Sequence, residues 1–410
     1  MISPVCAPEG FLKSWRGTTL FEVTALLLGI SLPVSNVLMN ICFALALLCL
    51  ILQRDTQTVF IVIKQPMVWL PLLMFALLAL SLLIHPHAYG LEMAGKYKKL
   101  LYVFPLALFF RHQPLLVRRF VVGFLLANAV ILILSLGAGL LHIPLGHIDP
   151  LNPTVFKRHI TQNFFMALSA LIWLSLAFAH PGVKRCGYGL LVLTASYDVL
   201  FLVLGRTGYV ALIVGLGICG VLSLKSWQRL AVVTAGVLAI CLLVTVPNRA
   251  YQRIALGVNE IHNCLANVDN DGYASCETSM GQRTWFALTS LKLIKQAPLF
   301  GNGAGSFWYG NPETGYGIHN PHNQYLLETV QSGAVGLALF LGWMLCCYRT
   351  AWRYSPPIRN LLIALLSGYM TCHLFNSFLL DSAEGHLFVI IAAILASESC
   401  KPDVLSGINS

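Results

Sequence analysis

Long uninterrupted apolar runs are the feature that most restricts the fold of this chain. The run from Leu125 to Leu136 contains no charged side chain, and comparable runs recur along the 410 residues. Hydrophobic residues make up 57% of the chain and charged residues 10%, whereas a soluble domain carries about 25% charged residues. This excludes an ordinary soluble enzyme, a coiled coil and a disordered chain. The runs also lack the alternation of a membrane β-barrel, so we predict an all-α, polytopic integral membrane protein.

The apolar content is sufficient for about twelve spans of roughly 20 residues each. We place these spans at residues 17–33, 34–52, 66–84, 98–110, 119–141, 160–179, 186–204, 207–223, 229–246, 325–348, 358–379 and 384–397. The first apolar stretch is far longer than a signal-peptide core, so we expect an uncleaved anchor. We predict nine spans in residues 1–246, a polar outer segment with short helices in 247–324, and three spans with a tail in 325–410.

The positions of Lys and Arg indicate the orientation of the chain. If alternate loops share a side, fifteen of the 26 Lys and Arg residues lie on the side of both termini. These are Lys13, Arg16, Arg54, Lys64, Arg111, Arg118, Arg119, Lys184, Arg185, Lys225, Arg229, Arg349, Arg353, Arg359 and Lys401. The positive-inside rule makes this side cytoplasmic. The net charge of +10 therefore reflects membrane topology and does not indicate nucleic-acid binding.

Six cations lie in short loops on the opposite, outer side, against this rule. They are Lys96, Lys98, Lys99, Lys157, Arg158 and Arg206. They indicate an anionic ligand at the outer face, although some could snorkel to lipid phosphates instead. The ligand interpretation is strongest for Arg206, which stands alone between two apolar runs, where an unpaired charge is costly.

Two cysteines, Cys264 and Cys276, lie in the long outer segment, whereas most of the others lie in apolar runs and are expected to serve packing. If the segment faces an oxidising compartment, the two thiols should form a disulfide. The alternative is two free thiols packed under the loop. No CxxC pair lies next to paired histidines and no carboxylate cluster marks a divalent metal, so we expect no metal site.

Two motifs near the end of the outer segment carry the most specific signal. One is the stretch from Pro298 to Phe307, with glycines at every second position from 301 to 305, and the other contains two His-Asn pairs ahead of span ten. These motifs, with the Arg-Thr-Gly turn at residues 206–208, resemble the O-antigen ligase and polymerase family. In O-antigen ligases, the His-Asn pair is followed after nine residues by Gly-x-x-Gly.

The spacing of this motif distinguishes the two histidines. Nine residues after Asn323 lead to Gly333, and Gly336 completes the pattern, whereas the same count from Asn320 reaches Val330. The register therefore selects His322 over His319 as the histidine of the motif.

The resemblance implies a GT-C-like glycosyltransferase of the inner membrane of a Gram-negative bacterium, with its active site facing the periplasm. It would transfer O-antigen polysaccharide from undecaprenyl pyrophosphate to a hydroxyl of lipid A-core, without a cofactor. Such a transfer needs cations to hold the departing pyrophosphate, and Arg206 and Arg283 are the candidates because a guanidinium binds phosphate bidentately. It also needs a general base, for which His322 is the candidate. Further candidates for substrate binding are His319, Asn323, Lys98, Arg158 and Asp381.

Several of these residues have other interpretations. His322 could cap a helix, and Arg283 could form a salt bridge with Glu277 or Glu260. The glycines could cradle phosphate through their N–H groups, but they lack the lysine of a nucleotide-binding loop, and a tight turn is favoured. Asp198 and Glu328 lie within predicted spans, where ionisable groups are functional by default, and they rank below the arginines.

Three functions remain open at this point. The first is the ligase, favoured by a length near 400 residues, one outer segment of about 80 residues and the complete His-Asn motif. The second is a polymerase that uses the same donor but extends another lipid-linked glycan. The third is an anion or lipid transporter, which is disfavoured because the unexpected charges lie at one face and not in broken helices at the midplane.

Overall fold

The computed structural model describes residues 15–53, 56–111, 113–142, 146–230, 233–234, 249–307, 309–310 and 317–397. Its α-helices are α1 Trp15–Val34, α2 Asn36–Gln53, α3 Thr56–Ile63, α4 Pro66–Ile84, α5 Gly90–Tyr97, α6 Val103–Phe110, α7 Pro114–Leu141, α8 His159–Ala179, α9 Gly182–Tyr197, α10 Arg206–Ser223, α11 Arg249–Asp271, α12 Ser279–Gln296, α13 Gln324–Ala351, α14 Pro356–Cys372 and α15 Ser382–Ser397. Helix α5 is followed by the 3₁₀-helix Lys98–Tyr102, and α11 by the 3₁₀-helix Gly272–Cys276. Helix α9 continues into the π-helix Asp198–Leu202. Two short strands, β1 Tyr309–Gly310 and β2 Gly317–Ile318, pair antiparallel.

Six helices of the described part are long and apolar enough to cross a membrane. They are Pro66–Ile84, Pro114–Leu141, His159–Ala179, Gly182–Leu202, Arg206–Ser223 and Gln324–Ala351. Thr19–Val34, Asn36–Leu52 and Ser382–Ser397 are shorter apolar helices. The predicted all-α membrane protein is therefore confirmed, whereas the count of twelve spans stays a prediction.

Three of the predicted spans differ from the structure. The span at 229–246 falls almost entirely outside the described residues. The span at 98–110 consists of a 3₁₀-helix followed by the eight-residue α6. The span at 358–379 is too long, because α14 ends at Cys372. The apolar residues Phe378 and Leu379 misled the prediction, since both are fully buried in the bundle from a loop and not from a helix.

The outer segment contains α11 and α12, which are helices of 23 and 18 residues, and neither is among the candidate spans. Helix α12 packs against both α11 and α13. Within the bundle, α10 packs against α8 and α14, and α13 packs against α4. The starts of α8, α10, α13 and α15 and the end of α14 consequently meet at one end of the bundle.

The two sequence motifs contact each other at a break in α13. Gly333 adopts a left-handed φ of 64° inside this helix. A Cβ atom there would lie 2.3 Å from the Leu299 backbone. The carbonyls of Pro298 and Leu299 accept hydrogen bonds from the N–H groups of Ala334 and Val335, at 2.8 and 3.1 Å, so the break leaves these donors satisfied.

The glycine-rich turn at residues 301–305 uses its N–H groups for internal contacts. The N–H of Gly303 donates to the Gln331 carbonyl at 3.0 Å, and the N–H of Gly305 donates to Oε1 of the same glutamine at 3.1 Å. The N–H of Ala304 donates to the Ser81 hydroxyl at 2.9 Å. These bonds support the tight-turn interpretation over a phosphate cradle.

Candidate functional site

His322 is held in an unusual backbone conformation between β2 and α13. Its φ is 54°, in the left-handed region that non-glycine residues rarely adopt. The His322 N–H donates to Oδ1 of Asn320 at 2.9 Å, and the Ser377 hydroxyl donates to the same oxygen at 2.6 Å. Oδ1 of Asn320 thus connects the backbone of His322 to Ser377, in the loop that follows α14.

The His322 ring lies at the start of a chain of side-chain hydrogen bonds. Its Nδ1 atom is 3.4 Å from Oδ1 of Asn376. The Ser377 N–H donates to that oxygen at 3.1 Å, which identifies it as the amide oxygen, and Nδ2 of Asn376 donates to Oδ2 of Asp381 at 3.2 Å. Because the amide oxygen can only accept, Nδ1 of His322 must carry the proton. The Nε2 lone pair is then the basic site of the ring.

Lys99 fixes the backbone of the loop that carries Asp381. The lysine side chain is buried, and its ammonium donates to the Leu380 carbonyl at 3.0 Å and to the Asp381 carbonyl at 2.5 Å. Burial, followed by the charge of Glu384, raises the pKa of the Asp381 carboxyl above its ordinary value. Lys99 therefore stabilises this loop. From the sequence it was predicted only as one of the unexpected outer cations.

Arg206 begins α10 on a turn that Asn163 holds in place. The Asn163 amide donates to the Gly205 carbonyl at 2.7 Å. A Cβ atom at Gly205 would lie 2.6 Å from Cβ of Asn163, so only glycine allows this approach. The Arg206 side chain itself is exposed.

Arg283 projects from α12 and is half-buried near Arg206. Partial burial, and then the positive charge of Arg206, lower the pKa of Arg283. The contact ion pairs in the described part of the chain join Lys96 to Glu92 and Arg119 to Glu22, and involve neither arginine of the site.

Among the described residues Arg283 forms a contact ion pair with neither Glu277 nor Glu260, and Glu260 caps a helix instead. The Glu260 carboxylate accepts from the Met280 N–H at 3.0 Å, at the start of α12. Two neighbouring cations without a carboxylate partner among the described residues form a site suited to an anion.

The surroundings of His322 favour its neutral form. His322 is partly exposed to solvent, and the Phe286 ring lies at a centroid distance of 6.2 Å from the imidazole. This crowding lowers the pKa of His322, the bond to Asn376 opposes the effect, and the charge of Arg283 lowers the pKa further. A neutral imidazole with a free Nε2 can accept a proton from a hydroxyl group.

The other predicted site residues lie in different surroundings. The His319 ring contacts Tyr89 at a centroid distance of 3.8 Å and faces α5, where burial lowers the pKa of His319 and the charge of Glu92 opposes this. Asn323 caps α13, because its Oδ1 accepts from the Leu326 N–H at 3.0 Å and its Nδ2 donates to the Leu374 carbonyl at 3.1 Å. Both polar ends of that amide are thus engaged within the protein.

Lys98 and Arg158 are exposed, at the start of a 3₁₀-helix and at the N-cap position of α8. The structure brings together Arg206, Arg283, His322 and Asp381, and it adds Asn376, which the sequence analysis missed. The signal for Asn376 was a polar residue five positions before Asp381, inside a stretch that was assigned to a span.

Asp198 and Glu328, the two carboxyl groups singled out within predicted spans, have neutral partners. The Ser135 hydroxyl donates to Oδ1 of Asp198 at 2.5 Å. Oε1 of Glu328 accepts from the Tyr97 hydroxyl at 2.9 Å and from the Gln324 amide at 2.8 Å. Both carboxyl groups lie apart from the chain of bonds at His322.

Cys264 and Cys276 form a disulfide that joins α11 to the following 3₁₀-helix, with 4.7 Å between their Cα atoms. The bonded pair is buried, and it fixes the turn that leads into α12. Among the described residues, no group of three or more His, Cys, Asp or Glu side chains has the arrangement of a metal site. The prediction of a transfer without metal stays a prediction.

Comparison with known families identifies the domain that holds most of this site. Residues 190–341 match the family model described as O-antigen ligase, which confirms the resemblance seen in the sequence. The matched segment includes Arg206, Arg283 and His322, whereas Asn376 and Asp381 lie beyond it. No curated protein matches the chain.

Proposed function

We propose that this chain, which carries an O-antigen ligase domain over residues 190–341, transfers O-antigen polysaccharide from undecaprenyl pyrophosphate to a hydroxyl of lipid A-core. The observation that carries the proposal is the placement of Arg206 and Arg283, without carboxylate partners in the described part, beside a histidine held neutral. A glycosyl transfer from a lipid pyrophosphate needs these two functions, an anion site and a base. The sugars of donor and acceptor are left open.

The proposed reaction is a single displacement at the anomeric carbon. Nε2 of His322 takes the proton of the acceptor hydroxyl while the hydroxyl oxygen forms the new bond to the anomeric carbon. The bond from that carbon to the phosphate oxygen breaks, and its electron pair leaves with the pyrophosphate, which Arg206 and Arg283 hold. The anomeric configuration is inverted, and the imidazolium then returns its proton to water.

Asn376 and Asp381 act through His322 in this scheme. The amide oxygen of Asn376 keeps the proton on Nδ1, so that Nε2 is available as the base. The positive charge of Arg283 lowers the pKa of His322, and the negative charge of the bound donor opposes this. The donor therefore stabilises the imidazolium that forms when His322 takes the proton. The imidazole of His322 is therefore neutral at rest, and its charged form is stabilised only when the anionic donor is bound.

The proposed location is the bacterial inner membrane, with both termini in the cytoplasm and the site facing the periplasm. The excess of Lys and Arg in the loops of one side supports this orientation. The disulfide lies in the outer segment, and a disulfide is expected in the oxidising periplasm and not in the cytoplasm. The proposal retains twelve spans, a GT-C-like fold and the division of the chain at residues 247 and 325.

His319, Asn323, Lys98 and Arg158 remain proposed contacts to the substrate. Lys98 and Arg158 are exposed cations that can approach phosphates at the outer face. Asn323 is the weakest of the four, because both ends of its amide already have partners.

The polymerase is the second candidate, since the same anion site and base would serve transfer to another lipid-linked glycan. One genetic experiment separates the candidates. A deletion strain of a ligase makes lipopolysaccharide without O-antigen but still accumulates the lipid-linked polymer, whereas a polymerase deletion leaves single repeat units. A purified assay with both lipid substrates then tests the chemistry. We expect transfer to persist in the presence of a chelator, and loss of transfer would overturn the metal-free mechanism.

A further inference from the structure

A cavity of about 740 Å³ lies at the other end of the bundle from His322. It is open on one side and is lined by α7, α8, α9, α14 and α15 and by the turn between α13 and α14. Its walls are largely apolar and include Phe124, Leu168, Trp173, Leu365 and Ile391. The turn at Arg206 contacts Asn163, near the start of α8. The cavity instead reaches His180, directly after the end of α8. The cavity is therefore separate from the site at Arg206.

The depth of the cavity matches one leaflet of a bilayer. Along α7 its lining extends from Val117 to Ala129, a distance of about 18 Å at 1.5 Å per residue. Half of a typical hydrocarbon core measures about 15 Å. A cavity of this depth accommodates an acyl chain that enters from one membrane surface.

The mouth of the cavity carries positive charge. Arg118 and Lys184 line it, both are exposed, and within the described part of the chain neither forms a contact ion pair. The neighbouring cations differ, because Arg119 pairs with Glu22 at 2.9 Å and Arg185 donates to the carbonyls of Ala177 and His180. The two cations at the mouth are thus the ones available to a ligand.

We propose that this cavity binds one anionic phospholipid, with an acyl chain against Trp173 and the headgroup phosphate between Arg118 and Lys184. The apolar depth fits the chain, and the two cations complement the phosphate. The pyrophosphate of the proposed donor lipid would lie at the opposite end of the bundle, by Arg206. By the positive-inside rule, the bound lipid belongs to the cytoplasmic leaflet, where Arg118 and Lys184 lie.

The buried position of Trp173 allows a direct test. Only 3% of its surface is exposed and it lines the cavity, so a chain bound there would lie closer to the indole than bulk lipid does. The full chain is placed in phosphatidylcholine nanodiscs that contain a variable fraction of brominated phosphatidylglycerol, whose bromines quench tryptophan on contact. We expect saturable quenching that is absent in Trp173→Phe, and no effect of inorganic phosphate alone.

Charge and filling variants make the test specific. Arg118→Gln with Lys184→Gln should weaken the saturable component about thirtyfold, since each lost cation is worth about fivefold. The matched control, Arg353→Gln with Lys225→Gln, removes equal charge from the same side without touching the lining, and it should leave binding unchanged. Ala129→Phe, which fills the cavity, should abolish the component.

The outcomes separate the proposal from a non-specific lipid effect. Equal quenching by brominated phosphatidylcholine would overturn the role of the two cations. Quenching that survives both the filling variant and Trp173→Phe would place the lipid elsewhere and overturn the site. Loss in the matched control as well would show a general charge effect and would also reject the proposal.

Discussion

His322 and Asn376 face each other at the end of the bundle where α10 and α13 begin, with 3.4 Å between Nδ1 of the imidazole and Oδ1 of the amide. The histidine lies inside the segment that matches the O-antigen ligase family, whereas the asparagine lies in the loop after α14, beyond that segment. The proton on the histidine ring is therefore positioned by a residue outside the matched domain. The loop between the last two helices, α14 and α15, therefore belongs to the proposed site.

The first prediction separates the two histidines. His322→Ala should reach the membrane in normal amount and lose at least about a hundredfold in transfer rate, because the general base is removed. His319→Ala should retain measurable activity, since its ring packs against Tyr89, directly before α5. The measurement is transfer in a purified assay, with protein amount as the control. Full activity of the His322 variant would reject the base, and loss confined to the His319 variant would show that the wrong register was chosen.

The second prediction concerns the guanidinium groups. Arg206→Lys and Arg283→Lys keep the charge but not the bidentate geometry, so each should lower the rate by about a hundredfold or more. Arg119→Lys is a suitable control, because that arginine pairs with Glu22 near the start of α7, at the end of the bundle away from His322. Donor binding and turnover are measured separately. Normal values for both in the Arg206 and Arg283 variants would indicate a structural role.

The third prediction follows from the lowered pKa of His322. The neutral ring is the active form, so activity should be complete above the pKa and fall as the pH drops through it, with a midpoint below the ordinary 6.5. Asn376→Asp places a carboxylate beside the ring, raises the pKa of the histidine, and should shift this acid limb to higher pH. The measurement is the pH profile of kcat/KM for both proteins. An acid limb that does not move would argue against contact between residues 322 and 376.

The fourth prediction tests the positioning role of Asn376 by deletion of its amide. Asn376→Leu should lower kcat by about five- to tenfold, the value of one neutral hydrogen bond, with little change in KM for the donor. A purely structural loss would instead lower the amount of folded protein. Thermal stability measured on the same preparation distinguishes the two outcomes.

The sequence predicted the helical membrane architecture well because apolar runs leave few alternatives in a chain with so few charges. The spacing count selected His322, which stays a prediction. The disulfide between Cys264 and Cys276 was expected from two nearby thiols in a polar loop that faces an oxidising compartment, and the structure contains it. The prediction was weaker where a residue's environment comes from distant segments. Asn376 was hidden in a presumed span, since Phe378 and Leu379 are as apolar in a buried loop as in a membrane helix. Lys99 could not be assigned, because its partners are carbonyl groups about 280 residues away.

The fifth prediction concerns Gly333, which the sequence identified only as part of a motif. Its role in breaking α13 could not be predicted, because glycine is common in membrane helices. Gly333→Ala would place a Cβ atom 2.3 Å from the Leu299 backbone at a left-handed φ. The clash and the strain should together cost about 2 kcal/mol or more and separate the turn at Pro298 from α13. Gly342→Ala on the same helix is the matched control, since the nearest atom is a Leu70 methyl group at 4.0 Å.

The control variant should be neutral or slightly more stable, by about 0.5 to 1 kcal/mol, because alanine favours the helix. Thermal unfolding of both variants in the same detergent is the measurement. Equal stability of the two would mean that α13 can straighten without the break at Gly333. In that case, the contact between the glycine-rich turn and α13 would not be needed to position α12 and Arg283 beside His322.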